Sequence, residues 1–193
     1  MRGDESRLAV LIMAAGESRR FGSCKLLADI DGKPMLQHSI ELAQSTNAAL
    51  IRVVTGRWHQ EIKQAQTSGV IDGIGLIYNS DWQQGLGTSI ATGVSQIASL
   101  CDEVLVLLAD QVSISGEDIE RLRLRDDKNQ IACASYSQTL GPPAIFPAQF
   151  FPELEKLSGD TGAKALLAEQ TAIDCQVDIP NAAFDIDFQS DLT

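Results

Sequence analysis

Two unbroken apolar runs constrain the fold more than any other feature: Leu8–Met13 near the start and Val104–Leu108 in the middle. A strand with one wet face alternates polar and apolar side chains, whereas an unbroken run has both faces covered. Shorter strand-like runs follow the same theme at Leu50–Thr55, Gly75–Tyr78, Ile131–Ser135, Ala144–Phe146 and Ile173–Ile179. Helix-like segments separate them. Pro34 opens one over Met35–Gln44, with Met35, Leu36, Ser39, Ile40 and Ala43 along one stripe. Others are predicted at Trp58–Gln66, Thr88–Leu100, Gln149–Leu157 and Thr161–Glu169. Another spans Ser115–Leu124, with Ser115 placed as N-cap and Glu117 and Asp118 in the first turn. Repeated strand-helix alternation predicts a three-layer α/β/α sandwich around a mostly parallel sheet. In such sheets ligands sit beyond the carboxyl ends of the strands, so the residues after Met13, Tyr78 and Ala109 are the first places to search.

With 193 residues and no linker, repeat or low-complexity segment, the chain is expected to form one domain. No apolar run approaches the roughly 20 residues of a membrane span. Met1–Arg7 is polar, so Leu8–Ala15 lacks the layout of a signal peptide and the expected compartment is the cytoplasm. Cys24, Cys101, Cys133 and Cys175 are far apart and form no CxxC pair, which argues against zinc or redox chemistry and, for all but Cys24, for reduced, mostly buried thiols. His38 and His59 lie in predicted helices without a ligand-spaced partner and read as structural. The formal net charge of -11 opposes nucleic-acid binding.

One loop concentrates the opposite charge. After Met13 the chain runs Ala14-Ala15-Gly16-Glu17-Ser18-Arg19-Arg20-Phe21-Gly22-Ser23-Cys24-Lys25. Ala14, Ala15 and Gly16 let backbone N–H groups approach a ligand, and consecutive N–H groups in a turn make an anion-binding nest. Ser18 adds a donor, Arg20 a fork of donors for phosphate oxygens and Lys25 a point charge. The loop is neither GxxxxGK[ST] nor GxGxxG. It reads as the phosphate site of a nucleoside triphosphate.

The pattern Ala14-Ala15-Gly16-x-Ser18-x-Arg20-Phe21-Gly22-x-x-Lys25 resembles the LAAGxSxRFGxxK signature of the MobA-like NTP transferases, in particular their molybdenum cofactor cytidylyltransferase branch. The resemblance continues in order through the chain. Asn79-x-x-Trp82-x-x-Gly85-Leu86-Gly87-Thr88-Ser89 is similar to NxxWxxGxGxS, and Leu108-Ala109-Asp110-Gln111 to LADQP. Gly141-Pro142-Pro143, Gly159-Asp160-x-Gly162-Ala163 and Asp185-Ile186-Asp187 with Asp191-Leu192 are similar to the later segments. The resemblance implies a Rossmann-like fold of the nucleotide-diphospho-sugar transferase type. It also implies transfer of CMP from CTP to the phosphate of a molybdopterin-type acceptor, with release of pyrophosphate. A molybdoenzyme or maturation factor would then be a protein partner.

Asp110 follows the apolar run and should stand at the sheet's carboxyl edge, as a Mg²⁺ ligand or as the cap of the next helix. The resemblance implies the metal role. It likewise implies that Asp187 completes the metal site, with Asp185 as the neighbouring alternative; in an extended segment the two share a face. Arg20, Lys25 and Asp110 are thus the catalytic candidates. Asn79, Gly85, Gly87, Thr88 and Ser89 join Ala14, Ala15, Gly16, Ser18, Arg20 and Lys25 as nucleotide-binding candidates. Thr88 and Ser89 either cap a helix or bond a ligand, and Trp82 either packs on a ring or anchors the fold. The AAG form of the first loop resembles the cytidylyl branch rather than the AGG of guanylyl enzymes.

The sequence departs from the pattern at Val112, where Pro is usual, at Lys164, where Arg is common, and at Phe188-Gln189-Ser190, which replaces Thr-Pro. Other readings are transfer to a different phosphorylated acceptor, use of GTP, or a non-catalytic nucleotide-binding partner or cofactor-insertion chaperone. Joint retention of Lys25 and Asp110 favours catalysis.

Overall fold

A computed structural model describes residues 6–160, 162–170 and 175–186. Asp187 lies outside the described residues, as do Thr161 and residues 171–174 of the predicted final helix and strand. The strands are β1 (Leu8–Ala14), β2 (Asp29–Ile30), β3 (Lys33–Pro34), β4 (Leu50–Thr55), β5 (Gly75–Tyr78), β6 (Glu103–Leu108), β7 (Ala132–Tyr136), β8 (Thr139–Pro147) and β9 (Gln176–Asp178). The helices are α1 (Met35–Ser45), α2 (His59–Thr67), α3 (Leu86–Ile97), α4 (Gly116–Arg123), α5 (Phe151–Leu154) and α6 (Lys164–Gln170).

A seven-stranded sheet has the order β5-β4-β1-β6-β8-β7-β9, and β2 and β3 form a separate hairpin. β1 pairs parallel with both β4 and β6, whereas β8 runs antiparallel to its neighbours β6 and β7. The sheet is therefore mostly parallel, as the strand-helix alternation predicts. Alternate β1 side chains feed opposite faces. Leu8, Val10 and Ile12 meet Ile40 of α1, Ile62 of α2 and Leu122 of α4. Ala9, Leu11 and Met13 join Ile90 and Val94 of α3, Phe151 of α5 and Leu167 of α6. This gives the expected three layers.

Several boundaries differ from the sequence expectation. The helix predicted at Thr88–Leu100 begins at Leu86, directly after Gly85. The one predicted at Gln149–Leu157 divides into a 3₁₀ turn, Ala148–Phe150, and the short α5, because Pro152 lacks the N–H needed to carry the helix through. Ser115 does cap α4: its hydroxyl accepts the Asp118 N–H, and the Asp118 side chain accepts the Ser115 N–H.

Two ion pairs hold the amino edge of the sheet, opposite the candidate loops. The Arg7 guanidinium clasps the Asp102 carboxylate at 2.9 and 3.1 Å, tying the entry of β1 to that of β6. Glu103 and Arg125 form a pair buried from solvent, and Arg125 Nε also donates to the Gln130 carbonyl at 3.0 Å. Together the ion pair and that bond fasten the charged Asp126–Gln130 loop to Glu103 of β6.

Removing one partner of a buried pair strands the other charge. Glu103→Ala is therefore expected to cost about 3–5 kcal/mol, measured by urea unfolding, and the double variant Glu103→Leu/Arg125→Met less than either single truncation. The Arg7 bonds lower the Asp102 carboxyl from 3.8 to about 2. A depressed carboxyl contributes stability above its unfolded value and loses it as pH falls towards the folded one. Arg7→Ala should accordingly raise the Asp102 titration midpoint in carboxyl-resolved NMR, and should weaken the dependence of stability on pH below 3.8.

Candidate active site

From β1 the chain builds the sheet outward through β4 and β5; from β6 it builds the other side through β8 and β7. Such a reversal leaves a crevice at the carboxyl ends of the two central strands. Register sets what lies there. Met13 pairs with Leu108, and the Ala109 N–H donates to the Met13 carbonyl at 3.1 Å. The loop after β1 and the acidic turn after β6 therefore start side by side. The Ser39 hydroxyl of α1 fixes the turn from below, donating to the Ala109 carbonyl at 3.2 Å.

The loop from Ala14 to Lys25 is held at both ends. Phe21 is buried as its anchor, and the Ser18 carbonyl accepts the N–H groups of Phe21 and Gly22, each at 3.1 Å. Ser18 adopts a left-handed backbone, φ 56°. Trp58 Nε1 donates to the Glu17 carbonyl at 3.0 Å, and the Arg57 N–H to the Ala15 carbonyl at 3.3 Å. Gly16 faces open space, with no atom within 4 Å of where a Cβ would stand.

Lys25 closes the arrangement. Its Nζ donates to Asp110 Oδ2 at 2.8 Å and to the Ile186 carbonyl at 2.8 Å. Both charged side chains are mostly covered, with 12% of Lys25 and 24% of Asp110 exposed, so the attraction is less screened than at an open surface. One cation thus joins the β1 loop, the β6 turn and the segment that carries Asp185. Next to it, burial pushes the Cys24 thiol up to about 11. It stays protonated at neutral pH, the less reactive form of a thiol.

Two adjoining cavities open at this edge. The larger, ≈ 460 Å³, is lined by Ala15, Gly16, Glu17 and Arg19 from the β1 loop, by Trp82, Gln83, Gly85 and Ser89 opposite, and by Asp110 and Asp160. The other, ≈ 300 Å³, is lined by Gly16, Ser18, Arg19, Arg20, Lys25 and Asp110. Most of the expected residues are thereby brought together. The remainder act inside the protein. Ala14 is the buried last residue of β1. Asn79 is buried; its amide donates to Ser89 Oγ at 3.0 Å while its Oδ1 accepts the Asp81 N–H. Gly87 is buried against the Ser158 backbone, and its N–H donates to the Gly159 carbonyl at 2.9 Å. Thr88 lies within the first turn of α3 rather than capping it, and its buried Oγ1 has no hydrogen-bond partner among the described residues.

Sequence reasoning missed Trp58, Glu17, Gln83 and Asp160. Trp58 acts through its indole N–H from a different loop, and no local spacing signals that. Asp160 had a signal, since Gly159-Asp160 follows α5 and returns to Gly85. A side chain at Gly85 (φ +103°) would strike the Gly159 carbonyl carbon at 2.5 Å.

Residues 10–174 match the model of the MobA-like NTP transferase domain. The chain belongs to the MobA-like NTP transferase family. It is a nucleotidyltransferase with the fold of the nucleotide-diphospho-sugar transferases. The purine catabolism protein PucB of Bacillus subtilis (strain 168) is 28% identical over 171 residues, 81% of this chain and 78% of the relative. The nicotine blue oxidoreductase of Paenarthrobacter nicotinovorans is 25% identical over 178 residues, 86% of this chain and 85% of the relative. A nucleotidyl transferase from Methanothermobacter thermautotroptrophicus superposes with a TM-score of 0.78 at 20% identity, covering 96% of this chain and 94% of the other, and so shares the transferase's fold. No described helix of the transferase is long and apolar enough to cross a membrane.

Gly85→Ala tests the far wall of the larger cavity. The left-handed backbone and the collision with Gly159 should cost about 1–3 kcal/mol in urea unfolding. Nucleotide affinity, measured by calorimetry on the folded fraction, should fall as well.

Proposed function

We propose that this transferase moves CMP from CTP to the phosphate of a molybdopterin-type cofactor. The observation that carries the reading is the Lys25–Asp110 contact of 2.8 Å at the crevice between β1 and β6. An oxygen of the acceptor phosphate attacks the α-phosphorus of CTP. A new P–O bond forms, the bond from the α-phosphorus to its bridging oxygen breaks, and pyrophosphate leaves with that electron pair. The acceptor phosphate is already anionic at neutral pH, so no strong general base is needed. Lys25 and Arg20 hold phosphate oxygens and offset the charge that builds on them. The covered position of Lys25 keeps that interaction in a poorly screened environment. The Ala14-Ala15-Gly16 start of the loop supports CTP over GTP.

The charge inventory bears on the metal. Among the described lining side chains, Arg19, Arg20 and Lys25 face Glu17, Asp110 and Asp160, so the signs nearly cancel. A triphosphate there needs added positive charge. Asp110 offers a hard oxygen suited to Mg²⁺, with phosphate oxygens and water as the other ligands. Bound at Asp110, Mg²⁺ would supply Lewis-acid stabilisation of the phosphoryl and leaving oxygens. Asp187 is the second carboxylate that would assist, and Asp185 is the neighbouring alternative. The reading puts the enzyme in the cytoplasm, with a molybdoenzyme or maturation factor receiving the product.

The test is pyrophosphate release across CTP, GTP, ATP and UTP, each with molybdopterin and with sugar phosphates as acceptors. CTP with molybdopterin should be the productive pair. Release with GTP and none with CTP would overturn the base assignment, and turnover only with sugar phosphates the acceptor assignment. Asp110→Ala and Lys25→Ala should each lower kcat by about 10²–10³. No turnover of any pair by the intact protein would leave a binding role instead.

A further inference from the structure

The side chain that follows Asp110 is turned towards the backbone of two distant segments. Gln111 is buried, with 4% exposed, and its Nε2 donates to the Ala182 carbonyl at 2.7 Å and the Pro142 carbonyl at 3.3 Å. An amide nitrogen carries two N–H donors, and each acceptor takes one. Pro142 lies in β8, and Ala182 in the 3₁₀ turn Pro180–Ala183. That turn leads directly to Ile186, whose carbonyl accepts Lys25 Nζ at 2.8 Å. Upstream, the Ile179 N–H donates to the Ser135 carbonyl at 3.1 Å and the Arg121 guanidinium to the Asp178 carbonyl at 3.0 Å. A longer bond, 3.4 Å, runs from Asn181 Nδ2 to the Ser113 carbonyl. Gln111 thus joins the turn that carries Asp110 to the segment that reaches Lys25.

We infer that Gln111 is a positioning residue of the transferase: its buried amide fixes the turn at Ala182, and through it the Ile186 carbonyl that orients Lys25. The inference rests on the phosphate role proposed for Lys25. Burying an amide costs its hydration, and a residue of similar volume such as Met would fill the same space without that cost. What Met lacks is the pair of donors that holds two carbonyls from distant segments in one arrangement. Lysine has a flexible four-carbon stem, so an ammonium that is not held samples many rotamers, and phosphate binding would have to freeze them. Asp110 and the Ile186 carbonyl act on Lys25 differently. The carboxylate neutralises the ammonium as it holds it, whereas the carbonyl is uncharged and orients it with its charge intact. Gln111 keeps that uncharged partner in place. A misplacement of about 1 Å at a group that contacts reacting atoms is enough to cost about 10²-fold in rate.

The experiment uses the full chain and two readouts. The first is acetylation by N-hydroxysuccinimidyl acetate without nucleotide, resolved by peptide mass spectrometry and scaled to the exposed Lys33. Gln111→Met should acetylate Lys25 at least about fivefold faster than wild type does, because the segment over it opens locally. Glu103→Ala, which weakens the opposite edge of the sheet, should leave the Lys25 rate near wild type. The second readout is CTP affinity by calorimetry with Mg²⁺ present. Gln111→Met should weaken CTP about tenfold in the wild-type background and less than about twofold in Lys25→Ala, because the effect travels through Lys25. Gln111→Asn keeps an amide but draws it back by one methylene, and takes the place of Gln111→Met should that variant fold poorly. An unchanged Lys25 rate, an equal acceleration in Glu103→Ala, or the same loss of CTP affinity in both backgrounds would overturn the inference. If Lys25 is unmasked selectively while the wild type binds no CTP, the link from Gln111 to Lys25 stands and the nucleotide reading falls.

Discussion

The parallel pairing of β1 with β6 is the constraint on which the site depends. Its register sets Met13 against Leu108, so two loops distant in sequence leave the sheet at the same level. A slip of one residue would turn every β1 side chain to the opposite face and exchange the two halves of the core. It would also move Asp110 relative to the loop that starts at Ala14. The alternation of Leu8, Val10 and Ile12 with Ala9, Leu11 and Met13 between two helix layers resists such a slip, since one set packs on α1 and the other on α3. The core that stabilises the fold thus also aligns the Lys25–Asp110 contact.

The central strands were legible because burial on both faces leaves an unbroken apolar run, as at Leu8–Met13 and Val104–Leu108. Alternation with helices made the mostly parallel sheet legible, but not which strand runs against it, since apolar patterning is the same for a parallel and an antiparallel strand. β8 shows this. Only Ala144–Phe146 read as strand, because Gly141-Pro142-Pro143 looks like an interruption. The structure extends β8 back to Thr139 by placing the prolines where the register shifts: Ala144 pairs with Cys133 and Gly141 with Ala134, so Pro142 and Pro143 oppose no partner. A bulge accepts residues that cannot donate to the ladder. The β7–β8 turn was hidden for another reason. Ser137 and Gln138 both hold positive φ, 46° and 60°, where Asn-Gly would be the usual signal. The β2–β3 hairpin did carry its signal, Asp31-Gly32, and could have been read.

For the site, residue type pointed to the β1 loop and Asp110, which meet at the crevice, but it could not tell which other side chains face it. Asn79 spends its polar atoms on Ser89 Oγ and the Asp81 N–H, and Gly87 is small because Ser158 approaches it. These positions shape the segment that presents Trp82 and Gly85. A polar or glycine residue in a motif says that something must come close; the three-dimensional path of the chain decides whether that is a ligand or another part of the protein. Asp160 illustrates the converse. It is remote in sequence from every loop near it, yet it lines the larger cavity.

The acidity of the chain bears on how such a site functions. At physiological salt the Debye length is about 8 Å, so most of the formal charge of -11 is screened at the crevice, and the nearest side chains set the local potential. Those side chains are close to balanced, and the covered cation, Lys25, is already engaged with Asp110. A bare triphosphate would have to compete with Asp110 for Lys25 while sitting close to a carboxylate. Under the proposed reading a divalent cation accompanying the triphosphate would be held by Asp110, which would leave Lys25 to phosphate oxygens. On that reading the ion pair holds the loop and the β6 turn in place while the crevice is open to solvent, and its two halves would separate onto opposite partners with substrate bound.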